Sequence, residues 1–302
     1  MKPDVHSLSA HQLRLIQTEA RRVLEQADAL GRFPTPVDDI IEAARHTVVV
    51  NQDIDEGFLS KTCRKVKGAL KGALSKVLGV LDVAARVMHL DRTVHEAKLP
   101  FLKTHELGHG ALPWQRDIYA ITADCKKTIA PEVSEMFERE ANVFASEVLF
   151  QIDAFTLEAA GHDFGIKTPM KLSKKYGASV YASVRRYVST HGRACAVVVL
   201  EPPEVCGLHG FVAKRRRVIA SPFFAAQFGE LAWPEKFTPD DEIGKMVPLG
   251  NRKMSRPRAI VMTDQNGARH ECIAEAFRHP YQVFILICVQ ATITKKILRV
   301  SA

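Results

Sequence analysis

The stretch "KTHELGHGALPW", Lys103 to Trp114, decides how this chain is read. Within it His105, Glu106 and His109 stand in the spacing H-E-x-x-H. Residues four apart lie one helical turn apart on one face, so both imidazoles can meet one ion with Glu106 beside them. Pro100, just ahead, fits a first helical turn, where its missing N–H costs nothing. Phe101, Leu102 and Leu112 share the face of the two histidines, which therefore points inward. Without a metal, two neighbouring buried imidazoles would have little to satisfy them.

Zn2+ is the expected ion, since it suits two imidazoles and one carboxylate and leaves a fourth position for water. Glu106 is then placed to take a proton from that water as it attacks a polarised carbonyl. The third ligand is sought in the helix expected after Pro131, "PEVSEMFEREANVFASEVLF". On a wheel of about 100° per residue, Glu138 falls within the apolar arc of Phe137, Ala141, Phe144, Ala145, Val148 and Leu149. Glu140 and Glu147 fall outside that arc, and Asn142 stands at its edge. A carboxylate on a buried face needs a compensating charge, and a metal supplies one. Asn142 is expected to accept the free N–H of a ligand histidine and so fix its tautomer.

Outward from the motif, "LSAHQLRLIQTEARRVLEQADAL" (Leu8 to Leu30) spaces Leu13, Ile16, Ala20, Val23 and Leu24 by threes and fours. That predicts a helix capped by Ser9 and stopped at Gly31. "TVVV" (Thr47 to Val50) and "VLDVAARVMHLD" (Val80 to Asp91) read as strands. "LSKKYGASVYASVRRYV" (Leu172 to Val188) reads as helix, short turn, helix. Beyond Gly192, "ACAVVVL", "RVIAS", "RAIVMTD" and "YQVFILICVQ" read as strands, with Asn266-Gly267 a hairpin turn.

These residues resemble the ImmA/IrrE family of zinc metallopeptidases. "RFPTPVDDIIEAA" (Arg32 to Ala44), "GVLDVAARVMHLDRTVHEAKLPFLKTHELGHGALP" (Gly79 to Pro113) and "EREANVFASEVL" (Glu138 to Leu149) are similar to successive blocks of that family. The resemblance implies His105, His109 and Glu138 as zinc ligands and Glu106 as general base. It also implies a cytoplasmic endopeptidase whose protein substrate is a transcriptional repressor, cut to derepress mobile-element, phage or stress-response genes. The expected fold is α+β: a zincin-like, mainly helical core with a small sheet over 1–150, a helical segment over 151–192, and a β-rich domain over 193–302.

Other features fit a second reading, a DNA-binding regulator on a protease-like scaffold without proteolysis. The helix pair at 172–188 has the rhythm of a helix-turn-helix. "SKTCRKVKGALKGALSK" (Ser60 to Lys76) and Lys214 to Arg217 are basic stretches that could meet DNA, although a solvated face is the plainer reading of each. The net charge of +8 favours an acidic partner or nucleic acid without deciding between them. The six cysteines contain no C-x-x-C pair, which points to free thiols in a reducing cytoplasm, with Cys63 and Cys125 inert. No apolar run approaches the roughly 18 residues of a membrane span, so no membrane partner is expected.

Overall fold

A computed structural model describes residues 8–51, 54, 78–125, 130–207 and 210–292. The lysine-rich Ser60–Lys76 stretch, Cys63 and His209 lie outside the described residues, as does the side chain of Cys125. The chain divides into two compact units, 1–157 with 172–182 and 158–171 with 183–302. The fold is α+β, as expected.

The first unit begins with α1 (Ala10–Gln26), where Ser9 and Gln12 close a reciprocal capping box. Ile16, Ala20, Val23 and Leu24 are its buried stripe. The helix ends before the expected Gly31. Asp28 takes the left-handed position (φ 47), and the bonds Asp28 N–H to Glu25 O and Ala29 N–H to Leu24 O close a Schellman turn. Then come α2 (Val37–Ala43), β1 (Thr47–Asn51) and the hairpin β2 (Gly79–Asp82) and β3 (Val87–Asp91). β1 pairs parallel with β3, giving the order β1-β3-β2, so among the described residues β2 is an edge.

The motif helix is α3 (Leu99–Ala111), followed by α4 (Pro113–Cys125) and α5 (Pro131–Leu149). α5 packs against both α1 and α3. The crossing with α3 is close because Gly108 has no side chain: a Cβ there would stand 3.1 Å from Phe144 Cδ1 and 3.3 Å from Ala141 Cα. Leu107, Ala111, Phe144, Val148 and the stripe of α1 share one apolar cluster.

The helices α6 (Ala154–Ala160), α7 (Lys167–Tyr176) and α8 (Val180–Ser189) follow, with Gly177 (φ 65) between α7 and α8. The second unit is built on one antiparallel sheet in the order β5-β6-β4-β10-β9-β8. Its strands are β4 (Cys195–Leu200), β5 (Glu204–Cys206), β6 (Gly210–Ala220), β8 (Arg258–Thr263), β9 (Arg269–His279) and β10 (Gln282–Thr292), while a short β7 (Lys236–Phe237) pairs with β6. The expected Asn266-Gly267 turn joins β8 to β9, a strand the apolar runs did not reveal, and a second tight turn leads on to β10. From Arg269 to Ala276 β9 buries alternate residues, among them His270, Cys272 and Ala274, so it carries no continuous apolar run there. α9 (Pro222–Phe228) sets Phe224 and Phe228 against the sheet core of Val198, Leu200, Ile285 and Ile287. Lys214 to Arg217 lie on β6, where Arg215 donates to Pro234 O (2.8 Å) and Arg216 to Gln282 Oε1 (3.3 Å).

Candidate metal centre

α3 brings His105 and His109 together with ring centroids 5.0 Å apart and planes nearly perpendicular. From α5, Glu138 reaches both rings, with Oε2 3.3 Å from His105 Nε2 and Oε1 3.5 Å from His109 Nε2. One donor atom from each of the three residues lies within 4.8 Å of the others. Donors at zinc-type distances of about 2.0–2.1 Å from a tetrahedral ion stand roughly 3.4 Å apart, so the spacing fits a single ion.

The wheel misjudged burial on α5. Glu140 and Glu147 are 2% and 3% exposed, whereas the side chain of Glu138 is 55% exposed. The wheel assumes one buried face, but α5 is enclosed by α1 and α3 on different sides. Glu138 meets the histidines while keeping an exposed side.

The burial of Glu140 creates a relay that the sequence reading missed. Its Oε2 accepts from Trp114 Nε1 (2.7 Å) and from Gln115 Nε2 (2.7 Å), and Gln115 Nε2 also donates to Phe137 O (3.1 Å). That orients the amide so that Gln115 Oε1, 2.8 Å from His109 Nδ1, must accept. His109 therefore carries its proton on Nδ1 and aims the lone pair of Nε2 at the cluster. Gln115 takes at His109 the part expected of Asn142 at a ligand histidine, and Asn142 stands beside the other histidine, His105, where it helps to raise its pKa. His105 Nδ1 is buried and has no well-formed hydrogen bond among the described residues.

Electrostatics separate the four groups. Burial, reinforced by the charge of His105, pushes His109 down to about 4 and keeps it neutral. Burial also opposes charge on His105, but the carboxylates of Glu138 and Glu106 outweigh it and raise its pKa. Burial resists ionisation of Glu138 as well, yet the histidines hold it down to about 2. Its open side screens part of that attraction. Glu106 is pushed up to about 7, chiefly by burial, with His105 and the Leu81 N–H opposing. The backbone of β2 crosses its carboxylate closely: a Cβ at Gly79 would stand 2.9 Å from Glu106 Oε1.

Tyr119 of α4 meets the edge of the His109 ring at 5.9 Å. Burial, with the nearby Glu138 and Glu106 carboxylates, raises its phenol pKa and keeps the O–H protonated. Tyr176 and His191 take part in other ring packing: Tyr176 is buried among Phe33, Phe150 and Phe155, and His191 packs on Phe164 and Tyr187.

No family model matches the chain, and no curated protein matches it. Among solved structures it is similar to a Mycobacterium tuberculosis transcriptional regulator, with 13% identity, a TM-score of 0.52, and coverage of 91% of this chain and 76% of that one. At that identity the likeness is one of fold. No helix among the described residues is long and apolar enough to cross a membrane.

Proposed function

We propose that the chain is a zinc-dependent endopeptidase that cleaves a regulatory protein, with His105, His109 and Glu138 holding the ion and Glu106 acting as general base. The carrying observation is Glu106: a buried carboxylate with a pKa raised to about 7, beside three donors spaced for one ion. A purely structural metal site would use the three donors and have no need of it.

Zinc, when bound, supplies a Lewis acid and lowers the pKa of the attacking water. Glu106 accepts the proton of that water and passes it to the leaving amine, a task suited to a carboxyl group near neutrality. Tyr119, whose ring meets His109 and whose O–H stays protonated, would serve as a donor to the developing oxyanion. Among the described residues the outer edge of β2 has no strand partner, and it passes beside Glu106, so an extended peptide can add there as a strand. The repressor as substrate class rests on the resemblance to the ImmA/IrrE blocks, and the likeness to a regulator structure is compatible with it.

The DNA-binding alternative has less behind it, since every residue of α8 is buried or half-buried and offers no exposed face to a groove. The test co-expresses wild type or Glu106→Gln with repressors encoded beside the gene. Discrete fragments with wild type alone, at equal zinc content, support the reading. Bound zinc without fragments from either protein, alongside salt-dependent retention of DNA, would overturn it. Unchanged zinc content in His105→Ala would refute the ligand assignment.

A further inference from the structure

Within the first unit, α1, the turn after α2, the β2–β3 turn and the start of α4 surround a cavity of about 270 Å3. Arg22, Arg45, Arg86 and Arg116 rim it, its floor is the Gly110–Ala111 end of α3, and its lining contains no aspartate or glutamate. The cavity shares α3 with His105 and His109, but none of its lining residues is a donor of that centre.

Like charges gathered round one concavity repel unless an anion joins them. Arg22 is paired with Glu19 (2.7 Å) and Arg116 touches Asp117 (3.4 Å), but among the described residues Arg45 and Arg86 meet no carboxylate. The walls are tied in place: Arg22 donates to Ala111 O (3.4 Å), and Gln26 Nε2 to Ala43 O (2.7 Å).

The backbone adds a second observation. Arg45 and Arg86 both sit at φ 57, in the left-handed region that glycine occupies at little steric cost. Arg45 stands where a Schellman turn closes α2, with Arg45 N–H bonded to Glu42 O and His46 N–H to Ile41 O, a position where glycine is usual. Two strained positions on one cavity both carry a guanidinium, as expected where binding outweighs local stability.

We propose that this cavity binds a small phosphorylated ligand through its guanidinium groups. Arginine forks match phosphate oxygens bidentately, and Arg45 and Arg86, the two that meet no carboxylate among the described residues, are answered by a doubly charged anion rather than by one carboxylate. The arginines converge on a concavity at the low end of small-molecule sites, whereas contact with a duplex calls for a basic stripe along a face.

The experiment is calorimetric titration of the full-length, zinc-loaded protein at low salt with inorganic phosphate, pyrophosphate and adenosine diphosphate. Saturable one-to-one binding of at least one of them is expected. Similar affinities would assign recognition to the phosphate alone, and roughly tenfold tighter binding of the diphosphate to the nucleotide. The double variant Arg45→Gly with Arg86→Gly should weaken binding by roughly tenfold or more, with the melting temperature unchanged or raised, because glycine relieves both backbones. Arg21→Gln, an equal loss of charge per site on an exposed residue of α1 outside the cavity, should change affinity less than about twofold. If the glycine pair melts lower, Arg45→Gln with Arg86→Gln must show the same loss of binding. The proposal is overturned if none of the three ligands saturates, if the paired variants bind as wild type does, or if Arg21→Gln weakens binding equally.

Discussion

The side-chain amide of Gln115 has one orientation available to it, because the carboxylate of Glu140 takes both the Gln115 N–H and the Trp114 indole N–H. Through that constraint a residue outside the H-E-x-x-H pattern selects the tautomer of His109. Gln115→Leu should therefore lower zinc affinity by about 10–100-fold, measured by competition with a chromophoric chelator, and an unchanged affinity would contradict the relay. Glu106 sets a pH dependence. Its folded pKa of about 7 exceeds its ordinary 4.5, so the folded chain holds a proton that the unfolded chain gives up, and stability falls as pH rises through that window. In metal-free protein Glu106→Gln should match wild type near pH 4 and exceed it above pH 7, by a margin on the order of 2–3 kcal/mol. Melting curves at the two pH values check this, and a gap independent of pH would count against a buried, ionising Glu106.

Elements reach this geometry through small residues as much as through ligands. α3 and α5 approach closely at Gly108 and Ala141, and that approach carries Glu138 to the histidines. Gly108→Val should cost about 1–3 kcal/mol by overpacking against Phe144 and the α5 backbone. It should also weaken metal binding although no ligand changes, read from a thermal melt and a zinc titration on one sample, and full zinc affinity in a destabilised variant would show that the crossing does not set the site. The glycine is visible in "HELGH", yet its purpose is not, because the atom it avoids lies some 36 positions further along the chain. The ends of α1, α2 and α5 teach the same lesson. Asp28, Arg45 and Gln151 hold left-handed closing positions where a sequence reading looks for glycine.

At the scale of the molecule, the chain passes three times between its two compact units, since 158–171 belongs with 183–302 and 172–182 with 1–157. Ile166 N–H donates to Glu275 on β9 (2.5 Å), and Phe164 packs on Tyr187 and His191. A chain ending at residue 192 keeps Tyr187 and His191 but loses the Glu275 bond and the sheet, so it should melt below the full protein or aggregate, and an unchanged melting temperature would show that 158–171 needs no sheet. Much was readable beforehand. The spacing of His105, Glu106 and His109, the period of α1, the strands of continuous apolar residues and the Asn266-Gly267 turn are all local patterns, set by neighbours within a few positions. Glu138 could be singled out as a third donor, but for a burial it does not have. The Gln115–Glu140 relay, the exposure of Glu138, the alternating strand β9 and the arginine-rimmed cavity appear only in the tertiary structure. Each depends on which distant segment closes over a residue, and periodicity along one helix or strand carries no information about its far side.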